Sequence, residues 1–577
     1  MMLDRNQNSH FSKNPTAEIQ RSRFKRPQSV KFTCNAGQLI PFYVDEVLPG
    51  DTMQVKTSKL VRMQTPATPF MDNVYCDTYY FFVPNRLVWQ HWREFMGENT
   101  TAPWTQTVDY SVPQIEVPLA HPSSGSAEYV GWPVGSIADY MGIPTGVAGD
   151  SHYPYSVNAL PFRAYALIWN EWFRDQNLEY PQNISLGDTV DQPIVDSSEG
   201  KPLDQGQWGL TPLTVSKFRD YFTSCLPAPQ KGPDVLLPLG EYAPVVTRLA
   251  NETGLVDRDL FPSSASLAGM KFYQMFPDAD GLVPAGNLYA NASGTASVDG
   301  TDVPSTSNSY TVAPANLWTD LQQASAASIN QLRLAFQMQK VYEKMARGGS
   351  RYIEILYSFF GVTSPDSRLQ RPEYLGGNRM LVNVNQVVQN SESATTPQGT
   401  TTAYSLTVDT HSDFTHSFVE HGYLIGVLCF RYDHTYQQGL ERFWSRKNKF
   451  DFYWPTFANI GEQPVYNREI YLQGSAADDG VFGYQEAWAD YRYKPNRVCG
   501  EMRSSATNSL DVWHLGDDYS QLPSLSADWI KEDPNNINRV LAVTSEVANQ
   551  FFGDIYIENI STRPMPLFSI PGLIDHH

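Results

Sequence analysis

Hydrophobic and polar positions alternate along several segments of the chain, which predicts β-strands at those places. The clearest segment is 74–83, VYCDTYYFFV, in which both sets of alternate residues are largely apolar. A strand of this kind should be covered on both faces, and Pro84 should end it. Residues 379–388 predict a strand with one apolar face, 418–432 a long central strand, and 551–560 a late strand.

The positions of these strands along the chain indicate the fold class. Strands near both ends of a long chain favour a sheet whose last strand returns to pair near the first, as in Greek-key and jelly-roll barrels. The 38 glycines and 40 prolines agree with many short strands and turns rather than long helices. The long connections must then be structured insertions, because long structureless loops are uncommon in compact domains.

One segment has the periodicity and the end signals of a long helix. Ser328 and Gln331 form a capping box at its start, and Gly348 with Gly349 provides a stop signal. Two apolar stripes lie on roughly opposite sides: Ile329, Leu332 and Phe336 on one, and Leu334, Met338, Val341 and Met345 on the other. A helix with two apolar stripes should be held between two surfaces, one its own barrel and the other an insertion or a neighbouring subunit.

Aromatic residues make up 13% of the chain and charged residues only 18%. This composition is typical of protein interfaces and equally of a large β-sheet core, and it does not decide between them. Residues 71–99 combine the predicted strand at 74–83 with Trp89, Trp92 and Phe95. We expect Trp89 and Phe95 to pack in the core of the chain itself.

No segment is predicted to enter or cross a membrane. The first twenty residues lack the apolar run of a signal peptide. The longest clean apolar run, residues 424–430, is far too short to span a bilayer. The protein is therefore expected to be soluble and made in a cytoplasm.

Positive charge is concentrated at the beginning of an otherwise acidic chain. The formal net charge is −19, whereas residues 1–31 hold seven Lys or Arg against two acidic residues. This segment lacks an apolar pattern, so it should be mobile unless something holds it. A basic arm on an acidic body favours a polyanionic partner, although a solvated terminus without a partner is the alternative. An aromatic ring between the cations could stack on an unpaired base. The candidate DNA-binding residues are Arg21, Arg23, Phe24, Lys25, Arg26 and Lys31.

Motifs for catalysis and metal binding are missing from the sequence. The chain contains no dinucleotide, phosphate-loop, nucleophile-elbow, zinc-protease or EF-hand motif. The nearest constellation, His411, His416 and His421, is spaced so that successive members face opposite sides of a strand, so a metal site is not expected. The five cysteines show no CxxC spacing and are interpreted as buried hydrophobic residues. These absences leave an enzyme unsupported rather than excluded, and we predict no metal and no cofactor.

Longer blocks of the sequence resemble one family of viral proteins. These blocks are VPNRLVWQHWREFMGEN, INQLRLAFQMQKVYEKMARGGSRYIEIL, TYQQGLERFWSRKNKFDFYWP and the closing RPMPLFSIPGLIDH. They are similar to the major capsid protein of the microviruses, specifically the gokushovirus-like branch of small icosahedral single-stranded DNA bacteriophages. The resemblance implies an eight-stranded viral jelly roll, a two-sheet β-barrel with large loop insertions and a few helices.

The same resemblance implies a function and a set of partners. Many copies would self-assemble into a T=1 icosahedral shell around a circular single-stranded DNA genome, in the bacterial host cytoplasm, so that the protein resides in the virion. The six residues of the basic arm would contact the DNA, unless a separate small basic viral DNA-binding protein carries that role. The alternative from another class is a jelly-roll carbohydrate-binding protein or glycoside-acting enzyme, with convergent carboxylates and no basic arm.

An acidic insertion at 234–315 is expected outside the shell. It lies between recognisable blocks, and its later part is rich in Ser, Thr, Gly, Asp and Asn without an apolar stripe. The resemblance implies a protrusion around the threefold axes that contacts a host cell-surface receptor; a passive surface loop is the alternative. The candidate recognition residues are Asn287, Tyr289, Asn291, Asp299 and Asp302.

The sequence thus predicts four regions. An internal basic N-terminal arm occupies 1–31, and the first part of the jelly roll with insertions occupies 32–233. The surface insertion follows at 234–315. The helix and the remainder of the jelly roll with the C-terminal segment occupy 316–577.

Overall fold

Two four-stranded antiparallel sheets carry the fold in the computed structural model. The structure describes residues 20–99, 109–121, 131–147, 155–189, 210–235, 329–395 and 397–568, together with short strands in the intervening ranges. The strands of the two sheets are β1 (Ser22–Cys34), β2 (Ile40–Val47), β3 (Thr52–Met63), β4 (Val74–Pro84), β5 (Glu373–Leu381), β6 (Thr407–Ser417), β7 (Gly422–Tyr432) and β8 (Phe551–Arg563).

The strand order brings the two ends of the chain together. Sheet A has the order β1-β8-β3-β6 and sheet B the order β5-β4-β7-β2, with neighbouring strands antiparallel. The first and last strands pair along their whole length, from Ser22 opposite Arg563 to Cys34 opposite Phe551. The expected return of the last strand to the first is therefore confirmed, as is the mainly β, antiparallel fold class.

Both sheets contribute to one hydrophobic core. Residues of β1, β3 and β8 in sheet A and of β2, β4 and β7 in sheet B belong to a single buried cluster. The rings of Phe430 and Phe551 stack with centroids 4.0 Å apart. The hydroxyls of Thr57 and Tyr80 share a hydrogen bond of 2.7 Å. Each fully buried large apolar side chain contributes about 1.5–3 kcal/mol, so this core holds the sheets together.

The strand β4 is covered on both faces, as its sequence predicts. Cys76 and Phe82 face the core shared by the sheets, whereas Phe81 and Val83 belong to a second buried cluster. That second cluster includes the helix α1 (Leu160–Ile168), which packs on the far side of sheet B. The apolar residues on both faces of β4 thus join sheet B to the sheet-A core and to the helical layer.

The long helix α2 spans Ile329–Arg347, as the capping box and the paired glycines predict. A second helix, α3, spans Tyr352–Phe360 and ends at Gly361, whose φ of 67° favours glycine. The segment 379–388 differs from its prediction, because the strand breaks there. Its last part, Val384–Val388, pairs with Thr401–Ser405 in a separate two-stranded sheet.

The insertions contain further short elements. The strands are Gln114–Glu116, Leu119–His121, Glu128–Tyr129, Ser156–Asn158, Ile194–Asp196, Val245–Thr247, Ala250–Asn251, Gly254–Leu255, Lys271–Met275, Leu282–Ala290, Ala296–Asp299, Thr311–Pro314, Leu317–Thr319, Glu462–Tyr466 and Val481–Glu486. The short helices are Trp92–Phe95, Ile137–Tyr140, Asn467–Ile470, Ala527–Ile530 and Asn535–Asn538, and a π-helical turn spans Trp169–Phe173.

The residues group into two compact units. One contains Met1–Lys231 and Glu343–His577, and the other is Gly232–Tyr342. The second unit has a four-stranded antiparallel sheet of its own, in which Leu282–Ala290 lies between Ala296–Asp299 and Lys271–Met275. The segment expected to be a polar surface insertion therefore contains paired strands.

Two expectations about individual side chains are corrected. Trp89 is fully buried, as expected, and its Nε1 donates to Asp188 at 2.6 Å. Phe95 lies only 5.2 Å from the Trp89 ring but remains 37% exposed, so it is not a core residue. Cys499 is exposed, whereas the other four cysteines are buried as predicted. The short helix that carries Phe95 lies at the surface, which explains the partial burial of its ring.

Candidate functional site

The basic N-terminal segment is held in the fold from residue 22 onward. Ser22–Cys34 is β1, the edge strand of sheet A, and pairs with β8. The boundary predicted at residue 31 therefore falls inside a strand, and residues 22–31 are not a mobile tail. Arg21, just before the strand, donates to the Gly50 carbonyl and to Thr52 Oγ1.

The pleat of β1 separates the six candidate residues onto two faces. Arg23, Lys25 and Lys31 are exposed on the outer face, whereas Phe24 and Arg26 are half-buried on the inner one. Phe24 therefore does not lie among the outward-facing cations, so a ring flanked by free cations is not formed.

Arg26 is a structural cation. Its guanidinium forms a two-point ion pair with Asp45, with Nη1 at 2.9 Å from Oδ1, and it also donates to Ser561 Oγ at 2.9 Å. Asp45 in turn accepts from Asn559 Nδ2 at 3.2 Å. This polar cluster satisfies a charge that would otherwise be costly to bury, and it joins β1, β2 and β8.

The outer face of sheet A carries more positive charge than the sequence indicated. Lys25 pairs with Glu558 at 2.7 Å and Lys31 with Asp554 at 3.2 Å, so these cations are partly neutralised. The hydrogen bond from Lys25 lowers the pKa of Glu558. The strand register adds further exposed residues that sequence reasoning missed: Lys56 and Arg62 on β3, and Tyr556 on β8. The alternation of polar and apolar residues along β3 was the signal in the sequence that could have identified Lys56 and Arg62.

The five candidate recognition residues are only partly described. Asn287 and Tyr289 lie on Leu282–Ala290, and Asp299 ends the neighbouring strand. The register places Asn287 directly opposite Asp299. Asn291 and Asp302 lie outside the described residues.

The three histidines singled out in the sequence do not converge. His411 is exposed on β6, His416 lies 3.9 Å from Glu373, and the His421 ring packs against Trp92. Within the described ranges, no group of three or more His, Cys, Asp or Glu residues is placed to hold a metal ion. No helix in that same part of the chain is long and apolar enough to cross a membrane.

A different histidine, His434, lies in a buried ionic cluster. Its Nδ1 is 3.0 Å from Asp517 Oδ1, and its Nε2 is 3.0 Å from Glu532 Oε1. Burial alone would lower the pKa of His434, but the two carboxylates raise it to about 10. The imidazolium therefore joins three distant parts of the chain as a buried cation. Sequence reasoning missed it because its partners lie far away in the sequence.

The helix α2 has apolar residues in contact with solvent on both of its predicted stripes. Leu334 is 61% and Phe336 58% exposed, and Leu332, Met338 and Val341 are also exposed. Ala335 is the buried residue among those of the helix for which burial is described. These stripes are therefore left uncovered by the part of the chain that the structure describes, and a second surface on a neighbouring subunit stays a prediction. Exposed apolar surface of this extent marks a site of interaction.

The structure combines two paired antiparallel sheets with exposed basic and apolar surfaces, which are features of a structural protein. The chain belongs to the family described as capsid protein (F protein), whose family model matches residues 12–573. It is therefore a bacteriophage capsid protein of the microvirus type, a virion component rather than a glycoside-acting enzyme.

Three curated relatives cover almost the whole chain, and each is named capsid protein VP1. The relatives from Chlamydia phage 1 and Spiroplasma virus 4 are each 41% identical, covering 98% and 96% of this chain and the same shares of their own lengths. The relative from Bdellovibrio phage phiMH2K is 39% identical, over 99% of both chains. The resemblance recognised in the sequence is thereby confirmed.

Proposed function

We propose that this protein is the major capsid protein of a microvirus and self-assembles into a T=1 icosahedral shell around a circular single-stranded DNA genome. The observation that carries the proposal is the apolar surface of α2, which a folded subunit leaves exposed. Symmetric contacts with neighbouring copies would bury such a surface many times in one shell. Electron microscopy of the purified protein tests this directly, because closed shells of uniform size are expected.

The fold proposed for this subunit is the eight-stranded viral jelly roll. Its support is the order in which the strands occur: sheet A takes the first, eighth, third and sixth strands, and sheet B the fifth, fourth, seventh and second. Consecutive strands therefore mostly alternate between the sheets, as a barrel built of two Greek keys requires. The long connections between β4 and β5 and between β7 and β8 hold the insertions.

The outer face of sheet A is proposed to contact the genome, because its exposed cations outnumber its carboxylates. Replacing Arg23, Lys25 and Lys31 with Gln should weaken binding of single-stranded DNA modestly. Each lost phosphate contact makes the negative slope of the log of the binding constant against log salt shallower by about 0.7. The slope should therefore become shallower by at most about 2. Titrations of free subunits at several salt concentrations measure this slope.

Arg26→Gln is the matched control for this triple variant. Its cation is engaged with Asp45 and Ser561, so the variant should lose stability without a change in the salt slope. An unchanged slope in the triple variant would show that another surface, or a separate small basic viral protein, contacts the DNA.

The second compact unit is proposed to contribute to host attachment through a cell-surface receptor. Replacing Asn287, Tyr289 and Asp299 with Ala should lower phage adsorption to host cells and leave the yield of shells unchanged. Shortening 286–310 to a Gly and Ser linker should have the larger effect. Shortening 390–395, exposed residues that follow the strand Val384–Val388, is the control and should leave adsorption intact. Normal adsorption with failed assembly would instead make the insertion an assembly element.

A further inference from the structure

A large cavity lies away from sheet A, between two segments that are distant in the sequence. Its volume is about 650 Å³. One wall comes from residues 436–446, shortly after β7, and the other from residues 490–503. Tyr221, Phe222 and Glu469 complete the lining. Most of the wall is thus built from insertions that follow the last strand of sheet B.

The lining of this cavity is electropositive although the chain is strongly acidic. It contains three carboxylates, Glu441, Glu469 and Asp490, against six cations, Arg442, Arg446, Arg492, Lys494, Arg497 and Arg503. A cationic concavity on a protein of net charge −19 concentrates anions from solution.

Four of these six cations are already engaged in ion pairs. Lys494 pairs with Glu441 and Arg446 with Asp490. Arg442 lies 3.6 Å from Glu469, and Arg492 lies 2.8 Å from Glu486. Arg497 and Arg503 form no ion pair with any described residue, and the guanidinium of Arg503 donates to the Gln437 carbonyl, at 2.9 Å. The excess charge therefore lies at Arg497 and Arg503, where phosphate groups would be its natural counterions.

Exposed rings line the same cavity as these cations. Trp444 is 66% exposed, and its ring centroid is 4.5 Å from that of Phe443, which is 40% exposed. The guanidinium of Arg446 lies 4.2 Å from the centre of the half-exposed Tyr491 ring. The Arg446 side chain is itself 9% exposed, and its Nε makes no hydrogen bond to any described residue. Flat rings and cations on the same surface are the combination that binds unpaired nucleic-acid bases.

We propose that this cavity binds single-stranded nucleic acid, with a base stacked on Trp444 and Phe443 and phosphates held by Arg497 and Arg503. The proposal rests on the proposed enclosure of a single-stranded genome and identifies a site for it. Base stacking requires rings and cations on the same surface. The cavity has both, whereas the pleat of β1 turns Phe24 away from its cations. A duplex would bind less well, because its bases are already stacked on one another.

The reactivity of one cysteine, Cys499, can report whether this cavity is occupied. Cys499 lines the cavity and is exposed, and the other four cysteines are buried. A thiol reagent should therefore modify Cys499 selectively in the folded protein, and an occupied cavity should slow that reaction.

The test measures the rate of Cys499 modification in free, full-length subunits. A short oligothymidine should slow the rate several-fold at low salt, and a duplex of equal length should slow it much less. Trp444→Ala should raise the oligonucleotide concentration needed for protection by about tenfold, in keeping with the loss of one stacked base. Arg497→Gln should make the negative slope of the log of the binding constant against log salt shallower by about 0.7.

Matched controls remove an exposed ring and an exposed cation elsewhere. Tyr180→Ala and Arg368→Gln should leave protection unchanged, because neither residue lines the cavity. Unchanged protection in Trp444→Ala and Arg497→Gln, or equal protection by duplex, would overturn the proposal. Protection of Cys499 in DNA-free shells, with none in free subunits given oligothymidine, would overturn it as well and assign the cavity to a second copy of the chain.

The readout in free subunits is separate from assembly. If the proposed function fails, the wild-type protein forms no shells whatever happens at Cys499. If only the present inference fails, wild-type shells form and enclose DNA while oligothymidine leaves the Cys499 rate unchanged.

Discussion

Replacing Leu334 and Phe336 of α2 with Asp should abolish shell assembly and leave the subunit folded. Both side chains are more than half exposed, so the substitutions remove little buried surface from the subunit. In a contact between copies, each Asp would place an unpaired carboxylate in an apolar interface, at a cost of several kcal/mol. Symmetry repeats that cost at every equivalent contact, so even a modest penalty per site should prevent closure. Sedimentation and electron microscopy measure assembly, and circular dichroism checks the fold.

The neighbouring exposed residue Gln337 provides a matched control. Gln337→Asp adds a carboxylate to the same helix at a polar position, so it should assemble nearly as well as the wild-type protein. Normal shells from the Leu334 and Phe336 double variant would show that α2 is not a contact between subunits. Loss of the circular dichroism signal would show that these residues support the subunit fold instead.

Replacing His434 with Gln should lower the free energy of unfolding at neutral pH by about 3–5 kcal/mol, which is the usual cost of removing one partner from a buried ionic cluster. The variant leaves the buried carboxylates of Asp517 and Glu532 without the cation between them. Urea unfolding of free subunits measures the difference. His411→Gln, at an exposed position on β6, should have little effect and is the control. Equal urea midpoints for His434→Gln and wild type would contradict a stabilising role.

The difference between wild type and His434→Gln should depend on pH in one direction. The pKa of His434 is raised to about 10 in the folded state, above the value of about 6.5 expected when unfolded. Its stabilisation is therefore fully present below about pH 6.5 and is lost as the pH rises toward 10. The two unfolding free energies should accordingly converge at alkaline pH, and a gap that widened with pH would contradict this assignment.

Elements with a strong local pattern were predictable from the sequence. β4, β7, β8 and α2 occur where alternation and capping signals place them. β1 was missed because its inner face includes Arg26, which interrupts the apolar alternation of Phe24, Val30 and Phe32. Only the folded chain supplies the acceptors Asp45 and Ser561, which make a half-buried arginine acceptable there.

The candidate sites were harder to predict from the sequence than the strands, because they depend on contacts between residues that are far apart in the chain. The aromatic and basic residues around Trp444 are visible in the sequence, yet nothing local shows that Arg497 lines the same cavity. The ion pairs of Lys25 and Lys31 with β8 depend on a register between the two ends of the chain. The exposure of Cys499 likewise follows from its place in the cavity wall, and cysteine spacing could not reveal it.

Assembly is the central claim, and cryo-electron microscopy of the purified full-length protein mixed with circular single-stranded DNA tests it most directly. We expect closed T=1 icosahedral shells in which α2 is buried between neighbouring copies and single-stranded DNA lies inside. A protein that stays a discrete small oligomer under all conditions of salt and pH, with α2 still exposed, would contradict the assignment of this chain as the subunit of a self-assembling shell.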